Sequence, residues 1–332
     1  MISIFLLDFG GPENKGDVRP FLKNLFSDEL IFPFPFGQAI FADIISRFRS
    51  ARIEKQYAAI GGGSPLPEQS RQIVQQLQEN FSRANLDVQV SVGMRYSEPS
   101  IPNSLKKILA EKPRGIVVIP MFPHYSTATT LSVFKTFRET YATLQCAVPF
   151  QLVDWWYGNT HFIAGWCYSI KKALDQFHAA RRDTIPILFT AHSLPESFVK
   201  ERRDPYPQQI RECCETIIKY LGGNHEAFIA YQSKVGPVEW MKPATIDFIQ
   251  ELGKRGVKEL VVVPISFITD HIETLYEIDQ EILPKGKSAG IEKIIRCEAL
   301  FYGPYLVKAL EEIALKKIPP LLNQVKSISP AL

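Results

Sequence analysis

The sequence predicts an α/β protein built from two similar halves, each a parallel sheet flanked by helices, and three observations carry that prediction. Short apolar runs recur along the chain: "ISIFLLDF" (2–9), "GIVVIPMF" (115–122), "IPILFTAH" (185–192) and "ELVVVPIS" (259–266). Runs that are apolar on both faces suit parallel strands covered by helices on each side. Between them lie amphipathic segments such as "EQSRQIVQQLQENFSRA" and "PATIDFIQELGKRG", and that alternation is the α/β pattern. The third observation is a repeat: "EPSIPNSLKKILAEKPRGIVVIP" (98–120) aligns with "KPATIDFIQELGKRGVKELVVVP" (242–264) at an offset of 144, pairing Pro99 with Pro243 and Pro120 with Pro264. "LLDFGGP" and "LFTAHSLP" correspond in the same way, as a strand followed by a turn that ends in proline.

At 332 residues the chain is long enough for two domains of ordinary size. The repeat divides it into a first domain over 1–150, a second over 151–316 and a tail over 317–332, with chemistry expected beyond the strand ends or between the domains. The copies differ in length: Pro12 to Pro120 spans 108 residues, whereas Pro195 to Pro264 spans 69. The first copy therefore carries an insertion of about 39 residues, assigned to about 28–57. Its "FPFPF" run cannot be a helix interior or a central strand because of its prolines. The segment after it is helical, with Ile40, Phe41, Ile44, Ile45 and Phe48 on one face and Arg47, Arg49, Arg52 and Lys55 nearby. A basic amphipathic helix beside aromatics reads as a lip over a membrane surface or a hydrophobic ligand; the alternative is a helix packed on its own domain.

Composition narrows the function. With 45% hydrophobic and 22% charged residues the chain is globular. Its formal net charge of +3 and lack of a Lys/Arg block argue against nucleic acid. Five cysteines (Cys146, Cys167, Cys213, Cys214, Cys297) form no CxxC pair, which suits a reducing cytoplasmic compartment. The opening "MISIFLLDFGGP" has neither the basic start nor the cleavage site of a signal peptide, is too short to span a bilayer, and reads as a buried first strand.

The chemistry gathers in "FITDHIETLYEID" (267–279). On an α-helix Asp270, Glu273, Glu277 and Glu281 fall within about 80° of arc, with no lysine at i+4 to balance them. Asp270 as N-cap with Glu273 as capping-box partner is the purely structural alternative. His192, at the end of "IPILFTAH", stands where open α/β sheets place their sites, and His124 and His271 also follow strand ends. Imidazole and carboxylate together bind borderline divalent metals and accept protons near neutral pH; a row of acids leading away could carry protons outward or a cation inward. Two phosphate-loop lookalikes fail: "DFGGP" lacks G-x-G-x-x-G, and "GKS" (286–288) has Glu281 where a P-loop needs glycine. "GGGSP" (61–65) is either a close-approach loop or part of a ligand site.

"LLDFGGP", "IGGGSPL", "GMRYSEP", "FPHYS", "TAHSLP", "DPYPQQI", "YQSKVGPVEW" and "PISFITDHIETLYEID", in this order over about 2–316, resemble the ferrochelatase family. The resemblance implies two Rossmann-like domains of chelatase type with a porphyrin cleft between them, and insertion of Fe²⁺ into a porphyrin to make haem. It implies that His192 and Glu273 are the metal ligands on opposite sides of the ring, with His271, Asp270 and Glu277 behind Glu273 on a helix widened by a π-type turn. It further implies a porphyrin pocket lined by Phe9, Arg95, Tyr125, Trp240 and Phe267, with Arg49, Arg52, Ser64 and Ser233 near the propionates. The insertion becomes the mouth of that pocket and, over 30–48, a contact with the inner face of a membrane. Some family members hold a [2Fe–2S] cluster on four cysteines; here Thr127 stands at one ligand position and no cysteine follows Cys297, so no cluster and no permanent cofactor is expected. The form "LLDFGGP" points to protoporphyrin IX rather than coproporphyrin as the partner of Fe²⁺, and N/O ligands imply that Zn²⁺ is also accepted in vitro. Competing readings are a retaining glycosyltransferase, a porphyrin carrier without catalysis, and a nickel or cobalt chelatase. The first lacks its glycine-rich diphosphate loop, the second does not need the acid row, and the third is argued against by the insertion.

Overall fold

The structure is a computed structural model that describes residues 1–34 and 36–328; Pro35 of the aromatic run and 329–332 of the expected tail lie outside the described residues. It contains two compact units, one formed by Met1–Trp156 together with the chain from Val307 onward, the other by Tyr157–Leu306.

The first unit holds a four-stranded sheet of β1 (Ile2–Asp8), β2 (Val88–Met94), β3 (Ile116–Pro120) and β4 (Phe150–Leu152), in the order β2-β1-β3-β4 and parallel throughout. Its helices are α1 (Val18–Phe26), α2 (Gln38–Ala59), α3 (Leu66–Arg83), α4 (Ile101–Ala110) and α5 (Thr130–Thr143). β1 is buried along its whole length. Phe5 and Leu7 pack with Ile101, Leu105, Val133 and Phe137 of α4 and α5, while Ile4 and Leu6, on the opposite face, are equally inaccessible.

The second unit repeats this plan. β5 (Ile187–His192), β6 (Ala227–Gln232), β7 (Glu259–Pro264) and β8 (Lys293–Arg296) form a parallel sheet in the order β6-β5-β7-β8. Around it lie α6 (Thr160–Leu174), α7 (Glu196–Lys200), α8 (Tyr206–Leu221), α9 (Thr245–Lys254), a π-helix over Glu273–Ile282, and α10 (Leu283–Ser288). The strand orders correspond one to one. The aligned prolines do too: Pro120 and Pro264 end β3 and β7. Pro99 and Pro243 both follow cis peptide bonds, and their carbonyls accept from the N–H of Met94 and of Tyr231.

Two boundaries differ from the sequence expectation. The first unit extends to Trp156 rather than 150, because β4 ends only at Leu152 and Trp156 is held there by Nε1–H donation to the Pro120 carbonyl (2.8 Å). Residues from Val307 onward, expected in the second domain and a separate tail, belong to the first unit. Residues 307–328 lie on α11 (Tyr305–Ile328), where Glu311 accepts from Asn80 of α3 (3.0 Å) and Leu321 packs so closely on Gly115 that a Cβ there would meet it at 2.7 Å.

The extra length of the first copy is α1 and α2, so the insertion starts earlier than residue 28; between β5 and α8 the second unit has only the single turn α7. Between α1 and Gln38 the described residues, 27–34 and 36–37, form no helix or strand, in keeping with Pro33. The Gln38 side chain ties this loop, donating to the Phe26 and Phe32 carbonyls (2.8 and 2.9 Å). α2 buries Ala42, Ser46 and Tyr57, while Ile40, Phe41, Ile44 and Phe48 are exposed, Phe48 to 82%. Most of the apolar face is thus open, although Ile45 is half-buried and Phe41 stacks on Phe34 (5.3 Å). The "GGGSP" loop turns through Gly61 and Gly62 at positive φ. It packs on the turn after β1: a Cβ on Gly63 would lie 2.2 Å from the Glu13 carbonyl oxygen, and the Ser64 N–H donates to Pro12 (2.7 Å).

Candidate active site

In the second unit the C-terminal ends of β5 and β6 and the first turns of the π-helix bring the predicted residues together. His192 and Gln232 are paired neighbours at the ends of their strands. The backbone N–H of His192 donates to Ser266 Oγ (3.1 Å), and its Nδ1 lies 2.7 Å from the Ser193 carbonyl oxygen. A carbonyl only accepts, so Nδ1 carries a proton and Nε2 is the ring atom left to meet a metal or a second proton. This is the second-sphere arrangement that orients an imidazole for metal or proton. Phe267 meets both imidazoles edge-on, His192 at a centroid distance of 6.4 Å and 78° and His271 at 4.5 Å and 80°.

The widened helix expected here runs over Glu273–Ile282, and its closing bond, from the Leu283 N–H to the Ile278 carbonyl, spans five residues as a π-turn does. Ile278 and Ile282 anchor it on Leu188, Leu260 and Val262 of the sheet, leaving Glu273 and Glu277 half-buried. His271 Nδ1 lies 2.7 Å from Glu273 Oε2 and 3.2 Å from the Glu273 N–H. One nitrogen cannot be donor to the first and acceptor from the second at once; the shorter, charge-assisted contact prevails, so Nδ1 carries the proton. Burial pushes the Glu273 carboxyl up, but the charge and hydrogen bond of His271 and the charge of His192 bring it down to about 2. Glu277 goes the other way. Burial and the charge of Glu273 raise it, against the bonds from Ser233 and the charge of His192. Two carboxyls four residues apart are thus driven toward opposite protonation behaviour, the pattern that separates an ionised ligand from a proton acceptor.

Three features of this group add to or differ from the sequence expectation. Ser233, expected near propionates, donates to Glu277 from both its N–H (2.7 Å) and its hydroxyl, at positive φ; it belongs to the acid group because the turn after β6 aims it there. Asp270 does not continue the row of Glu273 and Glu277. It precedes the π-helix, is buried, and accepts from Thr274 Oγ1 (2.8 Å) and Arg296 Nη1 (3.2 Å). Arg296, at the end of β8, also grips Asp279 by two bonds (2.7 and 3.0 Å). The cation absent at i+4 is supplied by another strand, which sequence spacing could not reveal. Nor is Asp270 the cap of the π-helix: the N-cap position is Ile272, with no side-chain cap bond. Trp240 pairs through its backbone with Pro195 of the loop after β5, so it shares a loop environment with His192.

The first unit holds the remaining predicted residues. Phe9 packs on Phe122 (4.7 Å) and Tyr96 (5.0 Å) beyond β1. Arg95 lies over the Tyr96 ring (5.1 Å) and pairs with Asp28 (3.1 Å). Asp28, 3% exposed, also accepts from Tyr96 Oη (2.7 Å), the Ser132 hydroxyl and the Leu30 N–H (2.9 Å). It anchors the start of the insertion loop and was not legible in the sequence. Tyr125 is half-buried past β3. Arg49 sits over Phe26 (5.7 Å) with its guanidinium pKa lowered by burial and by the charge of Arg52. Ser64 is buried, and His124 is buried and held neutral, its pKa lowered to about 3 by desolvation. Among the described residues no three His, Cys, Asp or Glu side chains form a metal cage, and no helix is long and apolar enough to cross a membrane. All five cysteines are free.

The sequence profile described as ferrochelatase matches residues 1–318. A ferrochelatase from Rippkaea orientalis is 38% identical over 331 residues, covering 98% of this chain and 85% of that one; one from Gloeobacter violaceus is 38% identical over 322 residues, covering 96% and 98%. Among solved structures, SirB from Bacillus subtilis with Fe³⁺ superposes with a TM-score of 0.60 over 98% of both chains at 11% identity, a likeness of fold.

Proposed function

The chain belongs to the ferrochelatase family, and on that premise we propose that it inserts Fe²⁺ into protoporphyrin IX, releasing two protons and yielding protohaem. The observation that carries the reading is the group formed by His192, His271, Glu273 and Glu277 around Phe267, with Glu273 held ionised and Glu277 raised. His192 Nε2 and the Glu273 carboxylate are the protein donors to the entering Fe²⁺. Two donors, without a third among the described residues, leave coordination positions for water and then for pyrrole nitrogens, so the ion is held loosely enough to be passed on. As Fe²⁺ bonds to the four nitrogens, two N–H bonds break; their protons go to the imidazole of His192 and to Glu277, whose carboxyl binds a proton more readily than its neighbour. His271 stabilises ionised Glu273.

On the same premise Phe9, Arg95 and Tyr125 in the first unit, and Trp240 and Phe267 in the second, are assigned to contact with a flat apolar macrocycle, and Arg49, Arg52 and Ser64 to its propionates. The exposed Ile40, Phe41, Ile44 and Phe48 with neighbouring Arg47 and Arg52 suit peripheral contact with an anionic membrane surface. Thr127 at the place of a cluster cysteine supports a reaction without a [2Fe–2S] centre.

The test is anaerobic metal insertion followed by the porphyrin spectrum, with Fe²⁺ and Zn²⁺ and with protoporphyrin and coproporphyrin side by side. Turnover with protoporphyrin that is lost in His192→Ala is expected. Tight porphyrin binding without turnover would make the protein a carrier, and preference for coproporphyrin would change the substrate.

A further inference from the structure

Gln232 is 3% exposed, at the last position of β6 beside His192. Its Oε1 lies 2.8 Å from Thr190 Oγ1, and its Nε2 lies 3.0 Å from the Glu273 carbonyl oxygen and 3.3 Å from Glu277 Oε2. The Glu273 carbonyl can only accept, and a flipped amide would set two oxygens against one another there, so the amide has one permitted orientation. Thr190 must then donate to Oε1, which leaves its oxygen to accept from Thr245 Oγ1, 2.8 Å away. Thr190 and Thr245 are fully buried. The result is a hydrogen-bond chain of single polarity, from the first residue of α9 through β5 and the end of β6 to the first turn of the π-helix. Each link polarises the next, since the three side chains are shut off from solvent.

We infer that Gln232 is a positioning residue for the metal-insertion reaction: its amide, polarised by Thr190 and Thr245, holds the backbone of Glu273 and the carboxylate of Glu277 in register with His192. The inference rests on the proposed chelatase reading, in which Glu277 takes a pyrrole proton. In that reading Gln232 touches neither metal nor porphyrin, and its contribution is to the chemical step rather than to substrate binding. A carboxylate in place of the amide keeps the shape but turns the donor into a second acceptor facing Glu277; an apolar side chain removes both contacts.

The experiment compares wild type, Gln232→Glu, Gln232→Leu, Thr190→Ser and Thr190→Val by two measurements: steady-state Zn²⁺ insertion into protoporphyrin, and amide hydrogen exchange over 273–283. Both Gln232 variants and Thr190→Val are expected to lose about 10-fold or more in kcat with KM for porphyrin within about twofold. Their 273–283 amides should exchange at least about 10-fold faster, while β5 and β7 stay protected. Thr190→Ser, which keeps the hydroxyl, should match wild type on both measurements. Wild-type kcat and exchange in Gln232→Leu would overturn the inference, as would a KM rise matching the kcat loss with exchange raised throughout the unit. Should a leucine at this position prevent folding, the isosteric Gln232→Glu and Thr190→Val on the neighbouring strand decide the question by the same criteria. A wild type that inserts no metal would sink the chelatase reading, while exchange over 273–283 would still decide whether Gln232 holds the helix.

Discussion

The Nδ1 of His271 stands 2.7 Å from the Oε2 of Glu273, so the residue that opens the π-helix is paired with an imidazole two positions before it. The pairing keeps Glu273 ionised down to a pKa of about 2. Glu273→Gln removes the charge and keeps the shape. Fe²⁺ and Zn²⁺ insertion should fall by about 100-fold or more, while porphyrin affinity, read by fluorescence quenching, stays within about threefold. Equal loss of binding and turnover would mean that Glu273 shapes the pocket rather than receiving metal.

Arg296 is shared by Asp270 and Asp279, and both it and Asp270 are almost entirely buried. Removing one member of such a group strands a buried charge, at a cost of about 3–5 kcal/mol. Arg296→Met should therefore lower the unfolding temperature by roughly 6–20 °C at about 2–4 °C per kcal/mol. Adding Asp270→Asn should restore part of the loss, since the stranded charge goes with it. Calorimetry of the two variants checks this; a double variant less stable than the single one would show that Asp270 does not depend on Arg296 for neutralisation.

The exposed face of α2 offers a different measurement. Ile40 and Phe48 are 66% and 82% exposed, and burying such side chains contributes about 1.5–3 kcal/mol each. If this face enters a bilayer surface, Ile40→Ser with Phe48→Ser should weaken sedimentation with anionic phospholipid vesicles by about 100-fold or more, leaving insertion in detergent unchanged. Vesicle binding equal to that of the wild type would assign the face another occupant.

The four strands named from the sequence, β1, β3, β5 and β7, are the central strands of the two sheets; the four that went unnamed, β2, β4, β6 and β8, are the edges. Central parallel strands are covered on both faces and read as unbroken apolar runs, whereas β2 alternates and β8 is mostly half-buried, so their composition announces no strand. The site divides in the same way. His192, Glu273 and Glu277 were legible because chemical groups at strand ends or in rows stand out. Gln232, Asp28 and Arg296 were not, because an amide, an acid and a guanidinium look like ordinary surface residues until the fold shows what they face. The acid row holds only in part. An α-helix from Asp270 would align all its members, but the turn is wider, and Asp270 precedes it and faces β8.

His124 gives the pH dependence. Buried past the end of β3, it stays neutral because desolvation lowers its pKa from 6.5 to about 3. The unfolded chain takes up this proton below pH 6.5 and the folded chain does not, so the unfolded state binds more protons and stability falls as pH falls. The contribution is fully present above pH 6.5 and is lost at about 1.4 kcal/mol per pH unit as the pH drops toward 3. His124→Asn, uncharged at every pH, should lack this slope although it is less stable at neutral pH for reasons of packing. Urea unfolding at pH 7.5, 5.5 and 4.5 measures the difference. Wild type should lose about 1.4 kcal/mol more than the variant between pH 5.5 and 4.5, on top of the carboxylate losses common to both. Parallel curves would mean that His124 takes up its proton in the folded state, through a local opening that exposes the turn after β3.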